Sequence, residues 1–459
     1  MALLRQRPHG TKHLQQSINQ SGPLNSTTYQ KDTIFMAFHS ENLQLDSPVG
    51  EKHGTSPDKV FTGRLGNGMD VIVIRDHRRP IATHMVWYRN GSADDPIGKS
   101  GIAHFLEHLM FKGTRNHPAG HFSDLLASVG GDDNDSTSWN YTNYYQRVPK
   151  DYLKTCMAYE ADRMTGLIPT DEIVDIERQV VLAERGMHYD SGPRNILGEA
   201  LQAGAFSPDP CGRPIIGWQH EIETLGREDA LAYYHRFYTP ENANLVVAGD
   251  VDPDAVMDMA ETIYGAITPT GASFQRTVVR APPVRTQRLL TLVDENVHQP
   301  AFTRIHVVPS MMATGPSSRL FTELREKRGM CYSIHTSRDA TRNVSRLIGH
   351  TSTRNDRLYE ALDVIRSKFA HLVSNKISAE EVEMAKSYLM GSFALQLDTS
   401  SAIANALLST KVEGLQPDFV DERNGRIASV TRDTVADAVA RLIGDGALLV
   451  SIAGNPATH

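Results

Sequence analysis

The feature that most constrains the fold is residues 101–110, a segment whose two sides differ in character. Its large apolar residues recur at the spacing of one helical face: Ile102, Phe105, Leu106 and Leu109. Three polar residues share the opposite face: His104, Glu107 and His108. We therefore expect an amphipathic helix, with Ser100 as its N-cap and Gly113 as its C-cap, that packs its apolar side against a core.

Strand patterns precede this helix, and helical patterns follow it. Two β-branched runs around an Asn-Gly pair predict strands within residues 62–74, and residues 81–88 predict a further strand that leads into the helix. The later segments read as three helices and a buried strand: 119–129, 150–165, 170–188 and 245–249. This mixture indicates an α+β fold in which the helix lies beside a sheet.

The length of 459 residues favours two domains. We expect a disordered or mis-started tail at residues 1–57, with Met36 as a candidate start, and a first domain at 58–268. Proline and glycine mark residues 269–287 as a linker to a second domain at 288–459. The second half again mixes strand and helix patterns: 289–293, 302–308, 320–326, 357–373, 379–397 and 447–453.

Composition argues against several classes of partner. The net charge of −7 and the pI near 6.3 give no electrostatic reason to expect nucleic acid or an anionic membrane. No run approaches the roughly 20 apolar residues of a membrane-spanning helix, and residues 1–10 lack a secretory pattern. Three separated cysteines, Cys156, Cys211 and Cys331, favour a reducing compartment and packing roles. We expect a cytoplasmic protein, with a periplasmic or organellar location left open.

The polar face of the 101–110 helix has the residues of a zinc site. Two neutral imidazoles at His104 and His108 suit Zn²⁺, and Glu107 can take a proton from an attacking water. A third ligand is usual in a catalytic site, and Glu177 and Glu184 lie two turns apart on one face of a predicted helix. From the residues alone, either acid can complete the site, and the alternative is an ordinary solvated helix face.

His104-Phe-Leu-Glu107-His108, followed at the family's spacing by Glu184, resembles the inverted zincins of the M16 family, the relatives of pitrilysin, insulysin and mitochondrial processing peptidase. The resemblance implies that His104, His108 and Glu184 hold one Zn²⁺ per chain. It also implies that Glu107 is the catalytic base and that Glu177 is the family's second catalytic acid near the site.

Two further segments carry the resemblance. Residues 130–145 are similar to the family's Gly-Gly-x-x-Asn-Ala-x-Thr strand, which implies that Asn134 contacts the substrate backbone. Asp135 stands where the family has alanine, and the segment is consistent with an edge strand that pairs with an extended peptide. Arg325 and Tyr332 resemble the family's Arg/Tyr pair, which contacts the substrate carbonyl region and suits stabilisation of an oxyanion.

The resemblance implies two similar domains, each a mainly antiparallel sheet packed with helices. It further implies a homodimer, or a heterodimer with a second M16 subunit, that acts as a zinc-dependent endopeptidase on peptides or unfolded protein segments. Two departures stand against this interpretation: an apparent shortening near residues 309–318, and Asp209-Pro-Cys211 in place of His-Pro-Tyr. The shortening supports the alternative of a non-catalytic or decayed subunit that binds peptides or supports a catalytic partner chain.

Overall fold

A computed structural model describes most of the chain after residue 59. The described residues are 60–271, 276, 288–294, 297, 301–306, 318–340, 345–374, 377–397, 399–412, 415, 419–443 and 449–455. Three predictions fall wholly or mostly outside these ranges: the tail at 1–57, the linker at 269–287 and the shortened segment at 309–318.

The first half of the chain builds a six-stranded sheet. Its strands are β1 (Val60–Arg64), β2 (Asp70–Arg75), β3 (Ile81–Tyr88), β4 (Asp132–Thr137), β5 (Thr142–Pro149) and β6 (Ala243–Gly249). The spatial order is β1-β2-β6-β3-β5-β4, and only the pairing of β2 with β6 is parallel. Strand β4 therefore lies at one edge of this sheet, as the sequence predicted.

Helices cover this sheet. They are α1 (Ile102–Leu109), α2 (His121–Ser128), α3 (Leu153–Gly166), α4 (Asp171–Arg185), α5 (Pro193–Phe206), α6 (Gln219–Ile222), α7 (Arg227–Phe237) and α8 (Pro253–Ile263). The apolar residues predicted for one face of α1 are all buried in the main core: Ile102, Phe105, Leu106 and Leu109. Helix α1 ends at Leu109 with Met110 as its C-cap, so the prediction of Gly113 as C-cap was wrong.

The start of α1 is fixed by a residue outside the helix. Ser100 is not the N-cap, because Gly101 occupies that position and the Ser100 hydroxyl instead accepts the Trp218 N–H at 2.9 Å. The Asp95 carboxylate accepts the backbone N–H groups of Gly101 at 2.7 Å and Ala103 at 3.2 Å. Gly101 is required because its φ is 88° and a Cβ there would lie 2.2 Å from the backbone oxygen of a neighbouring loop.

The second half builds a five-stranded sheet of the same kind. Its strands are β7 (Arg288–Leu292), β8 (Ala301–His306), β9 (Ile334–Ala340), β10 (Ser345–Ser352) and β11 (Leu449–Ala453). Their order is β7-β11-β8-β10-β9, with one parallel pair, β7 and β11. This order repeats β2-β6-β3-β5-β4, so the predicted α+β class with two similar, mainly antiparallel sheets is confirmed.

Six helices accompany the second sheet in the part of the chain that the structure describes. They are α9 (Arg319–Phe321), which continues as a wider helical turn (Thr322–Lys327), α10 (Leu358–Val373), α11 (Ala379–Gln396), α12 (Ser400–Val412), α13 (Phe419–Ala428) and α14 (Arg432–Ile443). Residues of α10 and α14 form a second core with β11.

Each sheet is covered by a helix from the other half. Helix α12 lies on β6 and β3. Three of its residues, Ala404, Leu407 and Leu408, share one apolar cluster with residues on the outer face of the first sheet: Ile72, Ile74, Met85 and Trp87. Ser401 contacts Thr83 at 2.9 Å, and Lys411 pairs with Asp70 at 2.9 Å. In return, α5 lies against β11 and β7, where Arg288 donates to the Gly204 carbonyl at 2.7 Å.

All three cysteines are free, as their spacing predicted. Cys156 and Cys211 are buried, and Cys331 is half-buried, which fits packing roles. Among the described helices, none combines the length and the apolar character that crossing a membrane requires. The boundaries at residues 268 and 288 stay predictions.

Candidate metal centre

Helices α1 and α4 bring together the three ligands that the resemblance implied. His104 and His108 face Glu184, whose Oε2 lies 3.8 Å from His104 Nε2 and 3.3 Å from His108 Nε2. One ligand atom from each residue lies within 4.8 Å of the other two. Ligands of a tetrahedral zinc ion, each about 2.0–2.1 Å from the metal, stand about 3.3–3.5 Å apart. Two imidazoles and a carboxylate at these separations fit Zn²⁺.

The charge states of His104 and Glu184 also suit a metal. Burial, together with the neighbouring His108, lowers the pKa of His104 to about 4, so this imidazole is neutral at pH 7. The Nδ1 atom of His104 is buried and has no hydrogen-bond partner among the described residues. Burial opposes ionisation of Glu184, but the hydrogen bond with His108 lowers its pKa below the ordinary value.

Glu177 contacts His108 from the other side of the ring. Its Oε1 lies 2.9 Å from His108 Nδ1, and its Oε2 lies 2.7 Å from Lys112 Nζ, with only 4% of the Glu177 side chain exposed. The structure thus separates the two acids that the residues alone left open: Glu184 joins the cluster, and Glu177 contacts His108 from outside it. Sequence reasoning missed Lys112, which follows His108 by four residues, the spacing of adjacent helical turns.

The His108 ring lies between two carboxylates. Although burial opposes a charge on the ring, hydrogen bonds with Glu177 and Glu184 raise the pKa of His108 to about 9. The metal-free site therefore holds a proton on His108 at neutral pH. The pKa of Glu177 is lowered in turn, since its hydrogen bonds with His108 and Lys112 outweigh the effect of burial.

Glu107 lies between α1 and the edge strand. It is 5% exposed, its Oε2 accepts a hydrogen bond from the Thr137 hydroxyl, and Asp135 lies on the same face of β4 as Thr137. Burial first, and then Asp135, raise the pKa of Glu107 well above its usual range. Thr137 was not assigned a role from sequence, although it is the final residue of the strand motif that carried the resemblance.

Alternation along β4 decides which of its side chains meet Glu107. Asp133, Asp135 and Thr137 are half-buried, whereas Asp132, Asn134 and Ser136 are exposed. Asn134 therefore projects from the other face, and its side-chain oxygen accepts the N–H of Asp135 at 3.0 Å. The predicted contact between Asn134 and the substrate backbone stays a prediction, and the structure adds Asp135 beside Glu107.

Arg325 and Tyr332 lie together in the second half. The Arg325 guanidinium is 5.1 Å from the Tyr332 ring centroid and 4.7 Å from the Phe321 ring, and Tyr332 is 85% exposed. Across the described ranges, no hydrogen bond or ion pair joins this pair to the metal centre. The structure pairs the two side chains as predicted, and their contact with a substrate stays a prediction.

Comparisons with known proteins find similar sequences in one peptidase family. The family model described as Insulinase (Peptidase family M16) matches residues 70–218, and the Peptidase M16 inactive domain matches residues 224–389. An uncharacterized zinc protease of Mycobacterium leprae is 31% identical over 77% of this chain and 82% of its own length. A similar protein of Streptomyces coelicolor, also named an uncharacterized zinc protease, is 29% identical over 78% and 82%.

Solved structures show the same architecture. A protease from Helicobacter pylori superposes with a TM-score of 0.80 at 22% identity and covers 86% of this chain and 99% of that one. The first half of the periplasmic protease PqqL from Escherichia coli gives a TM-score of 0.72 at 19% identity, over 87% of this chain and 92% of that one. At these identities the likeness concerns the fold.

Proposed function

Because this chain belongs to the M16 family of peptidases, we propose that it is a zinc-dependent endopeptidase that hydrolyses peptides or unfolded protein segments. The observation that carries the proposal is the convergence of His104, His108 and Glu184 on one point, with Glu107 beside them. Relatives named zinc proteases support the choice of metal.

The side chains of the site have different roles in the proposed reaction. Zinc held by His104, His108 and Glu184 would supply Lewis acidity and lower the pKa of a water molecule in the site. Glu107 accepts the proton of the attacking water and passes it to the leaving nitrogen, and a raised pKa makes its carboxylate a stronger proton acceptor. The Thr137 hydroxyl holds one oxygen of Glu107, which fixes the direction of the carboxylate.

Glu177 acts through His108 in this proposal. It is not a member of the cluster of His104, His108 and Glu184, and its contacts are with His108 Nδ1 and Lys112 Nζ. We therefore assign Glu177 a positioning role, in place of the catalytic role that the resemblance implied. A carboxylate on the distal ring nitrogen fixes the tautomer and the orientation of a metal-binding histidine.

The edge strand supplies the substrate contact. Backbone groups on the unpaired side of β4 can hydrogen-bond an extended peptide as an added strand, which binds many sequences because it uses the main chain. In our proposal, residues 58–268 form the zinc-binding domain and residues 288–459 a second domain beyond the 269–287 linker. Arg325 and Tyr332 then serve the metal centre of a partner chain, either a second copy or another M16 subunit.

A second candidate function rests on a specific observation. The family model that covers residues 224–389 is described as an inactive domain, and the connection between β8 and β9 is shorter than that between β3 and β4. A subunit that binds peptides without cleaving them, or that supports a catalytic partner, is consistent with this difference.

Zinc analysis and a quenched-peptide assay separate the two functions. We expect one zinc per chain in the wild type, in Glu107→Gln and in the exposed control Glu172→Gln, with cleavage reduced at least about a hundredfold only in Glu107→Gln. Size measurement on the same samples reports the oligomeric state. Equal cleavage by the wild type and Glu107→Gln would refute catalysis by this site. Peptide binding and zinc without cleavage would favour the second function.

A further inference from the structure

The edge strand β4 carries an acidic side chain directly beside the proposed general base. Asp135 lies on the same face of β4 as Thr137, whose hydroxyl donates to Glu107, so its carboxyl group faces the site that contains Glu107. In the family pattern that this segment resembles, the position is an alanine, so the negative charge distinguishes this chain.

Among the residues that the structure describes, no lysine or arginine side chain is paired with Asp135, and its carboxylate acts electrostatically on His104. Asp133, the other inward-facing acid of β4, lies near the buried Arg163, whose positive charge interacts with it. Asp135 instead acts on another carboxyl group, that of Glu107. A positive group brought beside Asp135 would therefore be attracted by its carboxylate, whereas a negative group would be repelled.

A bound peptide would bring its side chains to this place. If the peptide pairs with the free edge of β4, its residues alternate between the two faces as those of β4 do. Side chains directly opposite each other on neighbouring strands have Cβ atoms about 4.5–5.5 Å apart. The flexible side chain of lysine or arginine at the position opposite Asp135 therefore reaches its carboxylate, and it does so within the site that contains Glu107.

We propose that Asp135 makes the site selective for peptides with lysine or arginine at the residue that lies opposite it on β4, and disfavours aspartate or glutamate there. This inference rests on the proposed function, and it names the substrate class for that activity. The preference comes from a side chain, and it is added to a main-chain pairing that accepts any sequence.

The test uses quenched peptides of one common sequence. A single lysine, methionine or glutamate is placed at each of the four positions around the scissile bond, and mass spectrometry verifies the cleaved bond. At one position we expect the wild type to cleave the lysine peptide about tenfold more efficiently than the methionine peptide, measured as kcat/KM, with the glutamate peptide slowest. Comparing ratios within one protein removes any change in overall activity.

Two substitutions assign the preference. Asp135→Asn keeps the shape of the side chain and should bring the lysine-to-methionine ratio to within about twofold of one. Asp132→Asn, which makes the same charge change on the exposed face of the same strand, should keep the wild-type ratio. Asp135→Ala, the residue of the family pattern, gives a second measurement if Asp135→Asn does not fold.

Three outcomes would overturn the inference. These are a wild type without a lysine preference, an Asp135→Asn ratio equal to that of the wild type, and an equal loss in Asp132→Asn. If no peptide is cleaved, the proposed function fails separately. Fluorescence anisotropy then compares the affinities of the same peptides for the wild type and Asp135→Asn. A lysine preference that disappears in the variant still supports the role of Asp135, and its absence overturns it.

Discussion

Replacing Glu177 tests how the packing of α4 on α1 stabilises the metal centre. Glu177 Oε1 lies 2.9 Å from His108 Nδ1, and Oε2 lies 2.7 Å from Lys112 Nζ. Glutamine keeps an oxygen that accepts the His108 N–H but removes the charge, which leaves Lys112 without its counter-ion. Alanine removes both the acceptor and the charge.

The size of the effect follows from what each substitution takes away from His108. Carboxylates behind a metal-binding histidine typically contribute 10–100-fold to metal affinity, about 1.4–2.7 kcal/mol. We expect zinc affinity to fall about tenfold in Glu177→Gln, which keeps the hydrogen bond, and about a hundredfold in Glu177→Ala. The ligand set itself remains intact, so both variants still bind zinc.

The loss of affinity should depend on pH, because Glu177 also holds the competing proton. Glu177 and Glu184 raise the pKa of His108 to about 9, so zinc must displace a proton from the wild type at pH 7. Without Glu177 that proton is held less tightly, which offsets part of the lost affinity. The full loss is therefore expected above about pH 9, and a smaller loss at pH 7.

Competition with a fluorescent chelator measures zinc affinity at both pH values, and calorimetry in two buffers counts the protons released. Glu172→Gln is the matched control, because it removes a charge from an exposed position in the first turn of the same helix. Its affinity should stay within about twofold of the wild type. An affinity of Glu177→Ala equal to that of this control at high pH would refute the reasoning.

Three further predictions concern single side chains. The zinc affinity of the wild type should rise about tenfold per pH unit from about pH 6 to about pH 9 and then level off, because zinc binding displaces the His108 proton below its pKa. A pH-independent affinity in the chelator competition would contradict this. Thr137→Val should lower kcat about tenfold with KM little changed, because the hydroxyl orients Glu107, and Thr137→Ser should have the kcat of the wild type. Equal kcat values for the two variants would show that the hydroxyl does not orient Glu107. Asp95→Ala should lower the free energy of unfolding by about 2 kcal/mol in a denaturant titration, since two N–H groups at the start of α1 lose their acceptor; a stability like that of Asp132→Asn would argue against it.

Local periodicity predicted the helix that carries the site, because an amphipathic pattern depends only on neighbours three and four residues apart. The same reasoning named Glu177 and Glu184 as candidates but did not separate their roles. Both acids lie on one face of α4. Only the packing of α4 against α1 decides that Glu184 faces Nε2 of both histidines, whereas Glu177 meets His108 Nδ1 and Lys112.

Features that depend on distant packing could not be predicted from local sequence. Ser100 has the residue type of an N-cap, yet Asp95 supplies the acceptors, because the loop before α1 folds back onto the helix start. The sequence also did not predict which side chains of β4 face Glu107. Adjacent residues of a strand point to opposite sides, and the register with β5 determines that Asp135, and not Asn134, lies on the side of Glu107. The sequence motif alone does not specify that strand register.

The mutual covering of the two sheets has a consequence for how such a gene can be shortened. A product that stops before α12 would remove Ala404, Leu407 and Leu408 from the cluster that covers Ile72, Ile74, Met85 and Trp87 on the first sheet, and so would expose apolar surface there. A contiguous apolar surface of that kind promotes aggregation. The half that bears the proposed zinc ligands is therefore not expected to form a stable, soluble domain by itself. Any rearrangement of the gene that separates the two halves would expose apolar surface, because each sheet is covered by a helix from the other half.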